Sequence, residues 1–87
     1  MPKKNLDYVI NNIRTLRERD YLSQEYMAAK LEIGQNAYSK IELGKTKITV
    51  ERLYGIANAL GVDVLDLLKE ESPNPRQPTG KQERMMA

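Results

Sequence analysis

The sequence predicts an all-α domain of five short helices, and three observations lead to this fold class. Apolar residues recur at spacings of three and four along residues 6–68, which is the period of amphipathic helices. Residues that cap helix N-termini and glycines that end helices separate these segments. No segment carries the pattern of a β-strand. We therefore expect helices packed around one core, without a sheet.

An apolar stripe predicts the first helix over residues 6–19. The stripe consists of Leu6, Val9, Ile13 and Leu16. Polar side chains on the opposite side of this helix are expected to face away from the core, and they are Asn11, Asn12, Arg14 and Glu18.

Two shorter helices are predicted next, over residues 24–31 and 35–43, with a break at residues 32–34. Ser23 is a good N-cap for the first of them, and Gly44 is suited to end the second. The apolar side chains expected to face the core are Tyr26, Met27 and Leu31 in one helix and Ala37, Tyr38 and Ile41 in the other.

The last two helices follow a polar loop. Thr49 is the predicted N-cap of the fourth helix, which Gly61 ends, and Asp63 is the predicted N-cap of the fifth. The side chains expected to close the core are Leu53, Ile56, Ala57 and Leu60 in the fourth helix and Val64, Leu67 and Leu68 in the fifth.

The composition excludes several classes of function. The 87 residues contain no Cys and no His, so zinc sites, disulfides and Ser-His or Cys-His nucleophiles lack an essential residue type. We expect no enzymatic activity, no metal and no cofactor. No apolar stretch approaches the roughly 18 residues of a membrane span, so we expect a soluble, cytoplasmic protein with no membrane partner.

Residues 1–71 are predicted to form one domain, because a chain this short holds a single small core. Residues 72–87 hold three of the four prolines, a glycine and mostly polar residues. This composition is typical of disordered segments, which often order on a protein partner. A protein partner that binds through this tail is therefore one alternative.

The short connection at residues 32–34 predicts that the second and third helices cross steeply, as in a helix-turn-helix. The outward face of the third helix then carries polar side chains that include no acid. These are Gln35, Asn36, Ser39 and Lys40. Amide, hydroxyl and ammonium groups of this kind suit base edges in a DNA major groove, although any surface helix also shows polar residues.

Two neighbouring features favour a polyanionic partner. Gln24 lies in the first turn of its helix, where N–H groups and the helix dipole attract a phosphate. Lys45 and Lys47 flank Thr46 in the loop after the third helix. Residues 34–52 have a net charge of +2, four cations less two acids, which equals the net charge of the whole chain.

The segment LSQEYMAAKLEIGQNAYSKIELGKTKITVERLYGIANALGVDVLDLL resembles the Cro/C1 or XRE type of phage-repressor-like helix-turn-helix regulators. The resemblance extends over about residues 9–68, and its motifs are Ser23-Gln24-Glu25, Ala28, Leu31, Ile41-Glu42, Gly44-Lys45, Ala57 and Leu60-Gly61-Val62. It implies a lambda-repressor-like domain that binds double-stranded DNA in bacteria or phage. It further implies a repressor that acts as a homodimer on a palindromic operator.

The resemblance also implies roles for single residues, with the third helix in the major groove. The implied base-reading set is Gln35, Asn36, Ser39 and Lys40. The implied phosphate contacts are Gln24, Lys45, Thr46 and Lys47, and Asn36 fits either group. In several family members an Arg late in the first helix pairs with a Glu near the end of the recognition helix, and the matching residues here are Arg17 and Glu42.

Several positions depart from the family pattern. Tyr21 and Glu32 occupy turn positions that are commonly Gly, so a non-Gly residue with positive φ is expected in the central turn. Tyr38 is bulkier than the aliphatic residue expected there, and we expect its ring in the core with its hydroxyl at the rim; a phosphate contact is the alternative.

A homodimer needs a subunit contact, and Leu65 offers a candidate because a polar residue is expected at its position. With Ile10 or Leu43 it is predicted to form an exposed apolar patch, a feature that often marks a subunit contact in small soluble proteins.

The residues leave three functions open. The first is a sequence-specific, DNA-binding repressor or regulator. The second is an antitoxin-like protein that neutralises a partner protein and autoregulates its operon, since fold alone does not decide function. The third, an RNA-binding or non-specific nucleic-acid protein, is disfavoured because such proteins present aromatic platforms, and most of the five tyrosines are expected in the core.

Overall fold

Five α-helices make up most of residues 6–70, which are the residues that this computed structural model describes. In chain order they are α1 (Asp7–Arg19), α2 (Gln24–Leu31), α3 (Gln35–Glu42), α4 (Val50–Leu60) and α5 (Val64–Leu68). Residues 6–70 include no strand, so the predicted all-α fold class is confirmed. The predicted tail at 72–87, and residues 1–5 and 71 of the predicted domain, lie outside the described residues.

Side-chain caps begin three of the helices where the sequence predicts them. Ser23 Oγ accepts a 2.9 Å hydrogen bond from the Tyr26 N–H. Thr49 Oγ1 accepts one of 3.0 Å from the Arg52 N–H, and Asp63 Oδ1 accepts one of 3.2 Å from Leu65. Each cap satisfies an N–H that has no partner within its own helix, which fixes the starts of α2, α4 and α5.

Four helix ends share one closing geometry, in which a left-handed residue is followed by an N–H that bonds back to the last full turn. The left-handed residues are Tyr21, Glu32, Gly44 and Gly61. Their φ angles lie between 58° and 76°. The positive φ expected in the central turn is therefore confirmed at Glu32, and α1 ends in the same way at Tyr21.

The core draws apolar side chains from all five helices. Its buried members are Val9, Ile13, Leu16, Met27, Ala28, Tyr38, Ile41, Leu53, Ile56, Ala57, Leu60 and Leu67. Helix α1 packs against α3, α4 and α5, while α2 packs against α3 and α4. Helix α3 thus has neighbours on one side, and its other side stays open to solvent.

Some side chains predicted to face the core are exposed. Ala37, Tyr26 and Leu68 each stand next to a buried residue on the same helix. Consecutive helix positions point about 100° apart, so the neighbour of a residue that faces the centre of the core lies toward the edge of the helix, where these three side chains are exposed. Leu6 is 58% exposed because it precedes the first turn of α1 rather than belonging to it.

Asn12 contradicts the prediction that it faces away from the core, because it is fully buried. Its Nδ2 donates to the backbone carbonyls of Leu67 at 3.1 Å and Lys69 at 2.7 Å. A helix leaves its last carbonyls without partners inside the helix, so this amide completes the end of α5. Asn12 therefore joins α1 to α5.

Within residues 6–70, every helix is too short or too polar to cross a lipid bilayer. The same residues contain no group of three or more acidic, His or Cys side chains arranged to hold a metal ion.

Candidate nucleic-acid interface

A buried carboxylate, that of Glu42, lies behind the exposed face of α3. The Glu42 side chain is 2% exposed and forms a paired contact with the guanidinium of Arg17. Arg17 Nε donates to Oε2 at 2.7 Å, and Arg17 Nη2 donates to Oε1 at 3.0 Å. The two parallel bonds hold α3 against α1 in a fixed orientation, which is the property of a bidentate arginine–carboxylate pair.

Two further donors complete the shell of the Glu42 carboxylate. The Tyr38 hydroxyl donates to Oε2 at 2.6 Å, and Gln24 Nε2 donates to Oε1 at 3.0 Å. Arg14 Nη2 donates at 2.6 Å to the Glu42 backbone carbonyl. We call Arg17, Gln24, Tyr38 and Glu42 the Glu42 network. It joins α1, α2 and α3 at the point where the helix-turn-helix meets the rest of the domain.

The charges in this network stabilise one another. Burial by itself raises the pKa of Glu42, but hydrogen bonds from Arg17, Tyr38 and Gln24 outweigh it, and the pKa is lowered overall. The hydrogen bonds to Glu42 raise the pKa of the Arg17 guanidinium. Burial, aided by the hydrogen bond to Glu42, raises the pKa of Tyr38 well above its ordinary value. Glu42 is thus ionised and Tyr38 is a protonated donor at neutral pH.

The outward side of α3 carries the predicted base-reading residues. Gln35, Asn36 and Lys40 are exposed, and Ser39 is half-buried at the edge. Ala37 is exposed beside them, which sequence reasoning missed by assigning its methyl group to the core. The bulk of the neighbouring Tyr38 was the available signal, since the larger ring takes the inward position. An alanine methyl on this face suits contact with the methyl group of thymine.

The predicted phosphate contacts fall into two groups. Lys45, Thr46 and Lys47 are exposed in the loop after α3. The chain turns into this loop at Gly44, where φ is 76°, and the Lys45 N–H bonds back to Lys40. Gln24 differs, because it is half-buried and its side-chain amide donates to Glu42.

Burial of Glu42 makes the surface around α3 more positive than the sequence count indicates. Residues 34–52 hold the acids Glu42 and Glu51. Since Glu42 is buried and paired with Arg17, Glu51 is the exposed acid of this segment. Lys40, Lys45 and Lys47 are all exposed, so positive charge dominates the loop and the adjoining end of α3.

The side chains predicted to form a subunit contact differ in exposure. Leu65 is 63% exposed and Leu43 is 62% exposed, while Ile10 is half-buried. Ile10 and Leu43 line one shallow groove together with Arg14, between α1 and the end of α3. The structure therefore brings Ile10 and Leu43 together, and it leaves Leu65 as an exposed apolar side chain on α5.

The expectation that most tyrosines lie in the core is wrong. Tyr38 is buried, but Tyr21 is 95% exposed and Tyr54 is 59% exposed. Tyr26 is 40% exposed, with Lys30 Nζ 5.9 Å from the centre of its ring. A tyrosine ring carries a polar hydroxyl at its tip and tolerates the surface, so helical spacing alone does not bury it.

Known proteins resemble this chain in sequence and fold. A family model described as helix-turn-helix matches residues 13–67, which is more than half of the chain. The uncharacterized HTH-type transcriptional regulator YqaE of Bacillus subtilis (strain 168) is 39% identical over 61 residues, covering 70% of this chain and 53% of that protein. This chain therefore spans about half the length of that relative.

Two other relatives match over most of their own length. Control protein C.MunI of a Mycoplasma species is 34% identical over 61 residues, which cover 69% of this chain and 82% of that protein. The uncharacterized HTH-type transcriptional regulator y4dJ of Sinorhizobium fredii (strain NBRC 101917 / NGR234) is 34% identical over 65 residues, covering 75% of this chain and 84% of that protein.

A solved structure has the same fold. The crystal structure of the clp gene regulator ClgR from C. glutamicum superposes with a TM-score of 0.70 over 78% of this chain and 90% of that chain, at 23% sequence identity. The fold, the family model and the curated relatives agree with the resemblance seen in the sequence. The chain belongs to the Cro/C1 (XRE) type of helix-turn-helix family, a family of DNA-binding transcriptional regulators.

Proposed function

We propose that this protein is a sequence-specific transcriptional repressor that binds double-stranded DNA as a homodimer on a palindromic operator. The observation that carries the proposal is the exposed, acid-free face of α3 beside the loop of Lys45, Thr46 and Lys47, which we call the lysine loop. The Glu42 network holds this helix from behind, so the exposed face is presented at a fixed angle. A rigid polar helix of this kind suits the width of a major groove.

The proposed roles follow from position. Helix α3 enters the major groove, and its exposed side chains read base edges: Gln35, Asn36, Ser39 and Lys40. The lysine loop and the start of α2 hold the DNA backbone through Gln24, Lys45, Thr46 and Lys47. Backbone contacts fix the register of the protein on the duplex, whereas base contacts supply the preference for one sequence.

The homodimer is proposed from symmetry and from the exposed apolar side chains. A two-fold dimer places two copies of α3 in successive major grooves when they lie about 34 Å apart. Leu65 and Leu43 are the candidates for the subunit contact, since both are apolar and more than 60% exposed.

Selection from a library of random duplexes tests this function. The full chain should enrich an inverted repeat whose half-sites are centred about one helical turn apart, with two chains bound per duplex. Equal affinity for the selected duplexes and for random duplexes would contradict sequence-specific binding. Binding of one chain per duplex would contradict the homodimer but not sequence-specific binding.

The antitoxin-like alternative depends on residues 72–87, which lie outside the described residues. Comparing the full chain with a chain that ends at residue 71 distinguishes it. Unchanged operator affinity together with lost binding of a partner protein would favour this alternative over a role in DNA binding alone.

A further inference from the structure

We propose that Tyr38 is a positioning residue for DNA binding, whose hydroxyl holds the Glu42 carboxylate so that Gln24 is presented to a DNA phosphate. The proposal rests on the proposed function and deepens it. It assigns a role in recognition to a side chain that no duplex can touch, because Tyr38 is fully buried.

The hydroxyl of Tyr38 donates its hydrogen to Glu42, and packing does not require this hydroxyl. A phenylalanine ring would fill the same space in the core. The hydroxyl donates at 2.6 Å to Glu42 Oε2, which also accepts from Arg17 Nε at 2.7 Å. What the tyrosine adds over phenylalanine is therefore one hydrogen bond to this carboxylate.

Four hydrogen bonds hold the carboxylate of Glu42 in one orientation. Each oxygen accepts two hydrogen bonds, Oε2 from Tyr38 and Arg17 and Oε1 from Arg17 and Gln24. An ionised carboxylate offers about four such positions, so all of them are filled. Removal of the Tyr38 hydroxyl leaves Oε2 with one donor, so the carboxylate keeps its paired bonds to Arg17 but is held by three hydrogen bonds instead of four and can shift relative to Gln24.

Gln24 is the member of the network that lies at the start of α2. It is half-buried and is the first residue of α2, next to the N–H groups that have no partner within the helix. Its Nε2 carries two hydrogens, and one of them donates to Glu42 Oε1 at 3.0 Å. Because the amide group is planar, the hydrogen bond to Glu42 also sets the direction of the second N–H, which is the one available to a phosphate.

The network also neutralises the charge of Glu42. A carboxylate within hydrogen-bond distance of a phosphate-binding amide would repel the phosphate if it were not neutralised. Arg17 supplies the opposite charge at 2.7 Å, and Tyr38 and Gln24 take up the remaining acceptor positions. The acid can therefore lie behind the interface and orient Gln24 without opposing the duplex.

A double-mutant cycle read out in operator affinity tests the proposal. The full-length wild type, Tyr38→Phe, Gln24→Ala and the double variant are compared, each shown to be folded by circular dichroism at the temperature of the titration. Tyr38→Phe should weaken operator binding about two- to tenfold, the range expected for one hydrogen bond. In the Gln24→Ala background the same change should have almost no effect on affinity.

Ile56→Val is the matched control, because Ile56 is fully buried on α4 and contributes no group to the network. It should lower stability through a small cavity while leaving operator affinity unchanged in both backgrounds. A second readout needs no DNA. The side-chain amide resonance of Gln24 should shift in Tyr38→Phe and stay in place in Ile56→Val.

Several outcomes would overturn the proposal. They are a Tyr38→Phe variant with wild-type affinity, an equal loss of affinity in both backgrounds, and an unchanged amide resonance of Gln24 in Tyr38→Phe. A Gln24→Ala variant with wild-type affinity would also overturn it, while operator binding by the wild type would leave the proposed function intact. Failure of the wild type to select any operator would instead remove the proposed function itself.

Discussion

The two faces of α3 differ in chemistry and in what constrains them. The inward face is partly polar yet buried, with Tyr38 and Glu42 joined by a 2.6 Å hydrogen bond beside Ile41. The outward face is polar, and its side chains Gln35 and Lys40 are exposed to solvent. One face therefore sets the angle of the helix, and the other can change without altering the fold.

The largest expected effect is the loss of stability caused by a substitution on the inward face of α3. Replacing Glu42 by Ala leaves the Arg17 guanidinium partly buried without its carboxylate, which should lower the free energy of unfolding by about 3–5 kcal/mol. Urea denaturation followed by circular dichroism measures this loss. Glu51→Ala is the control, because Glu51 is exposed and, as an acid in the first turn of α4, should change stability by no more than about 1 kcal/mol. Equal losses in the two variants would remove the distinction between the faces.

On the outward face the expected effect is on recognition rather than on stability. Gln35→Ala should reduce discrimination at particular base pairs by about 1–3 kcal/mol, with stability nearly unchanged. Lys47→Ala should weaken all duplexes alike and reduce the salt dependence of binding. Titrations of the selected operator and its single-base variants at several salt concentrations measure both. The same uniform loss in both variants would contradict the assignment of Gln35 as a base reader.

A smaller effect on stability is expected from substitutions in the turns before α2 and α3. Tyr21 adopts a φ of 58° and is 95% exposed, so its side chain gains little from packing while its backbone is strained. Tyr21→Gly should raise stability by about 1 kcal/mol, and Glu32→Gly should do the same, since Glu32 has a φ of 60°.

The reverse change provides the comparison for these turns. Gly44→Ala should cost about 1 kcal/mol, because φ there is 76° and the added methyl group meets Ile10 at an ordinary 3.5 Å. Thermal denaturation of the three variants tests the series. A loss of stability in Tyr21→Gly would show that the exposed ring stabilises the domain.

The smallest expected effect is the dependence of stability on pH. The pKa of Glu42 is lowered by folding, so its ionised form stabilises the native state. That contribution is complete above about pH 4.3, the ordinary value for Glu, and is lost as the pH falls through the lowered pKa. The free energy of unfolding should therefore decrease on acidification, and the decrease should be shallower in Glu42→Gln. Parallel curves would contradict a lowered pKa at Glu42.

The local signals in the sequence were sufficient for the helices and their ends. Ser23, Thr49 and Asp63 cap the helices predicted from them, and Gly44 and Gly61 adopt the left-handed conformation expected after α3 and α4. Each of these features depends on hydrogen bonds between residues two to five positions apart in the chain. Interactions over so short a distance are encoded in neighbouring residue types.

Only the tertiary structure decided which side chains at the edges of the helices are buried and which partners the buried polar groups bind. Periodicity assigned Asn12 to the surface and Ala37 to the core, and the structure reverses both. The partners of Gln24 and Tyr38 lie 18 and 4 residues away, on the carboxylate of Glu42. A side chain at the edge of a helix is buried or exposed according to where the neighbouring helix lies. That position follows from packing of the whole core, whereas helix ends follow from the residues beside them.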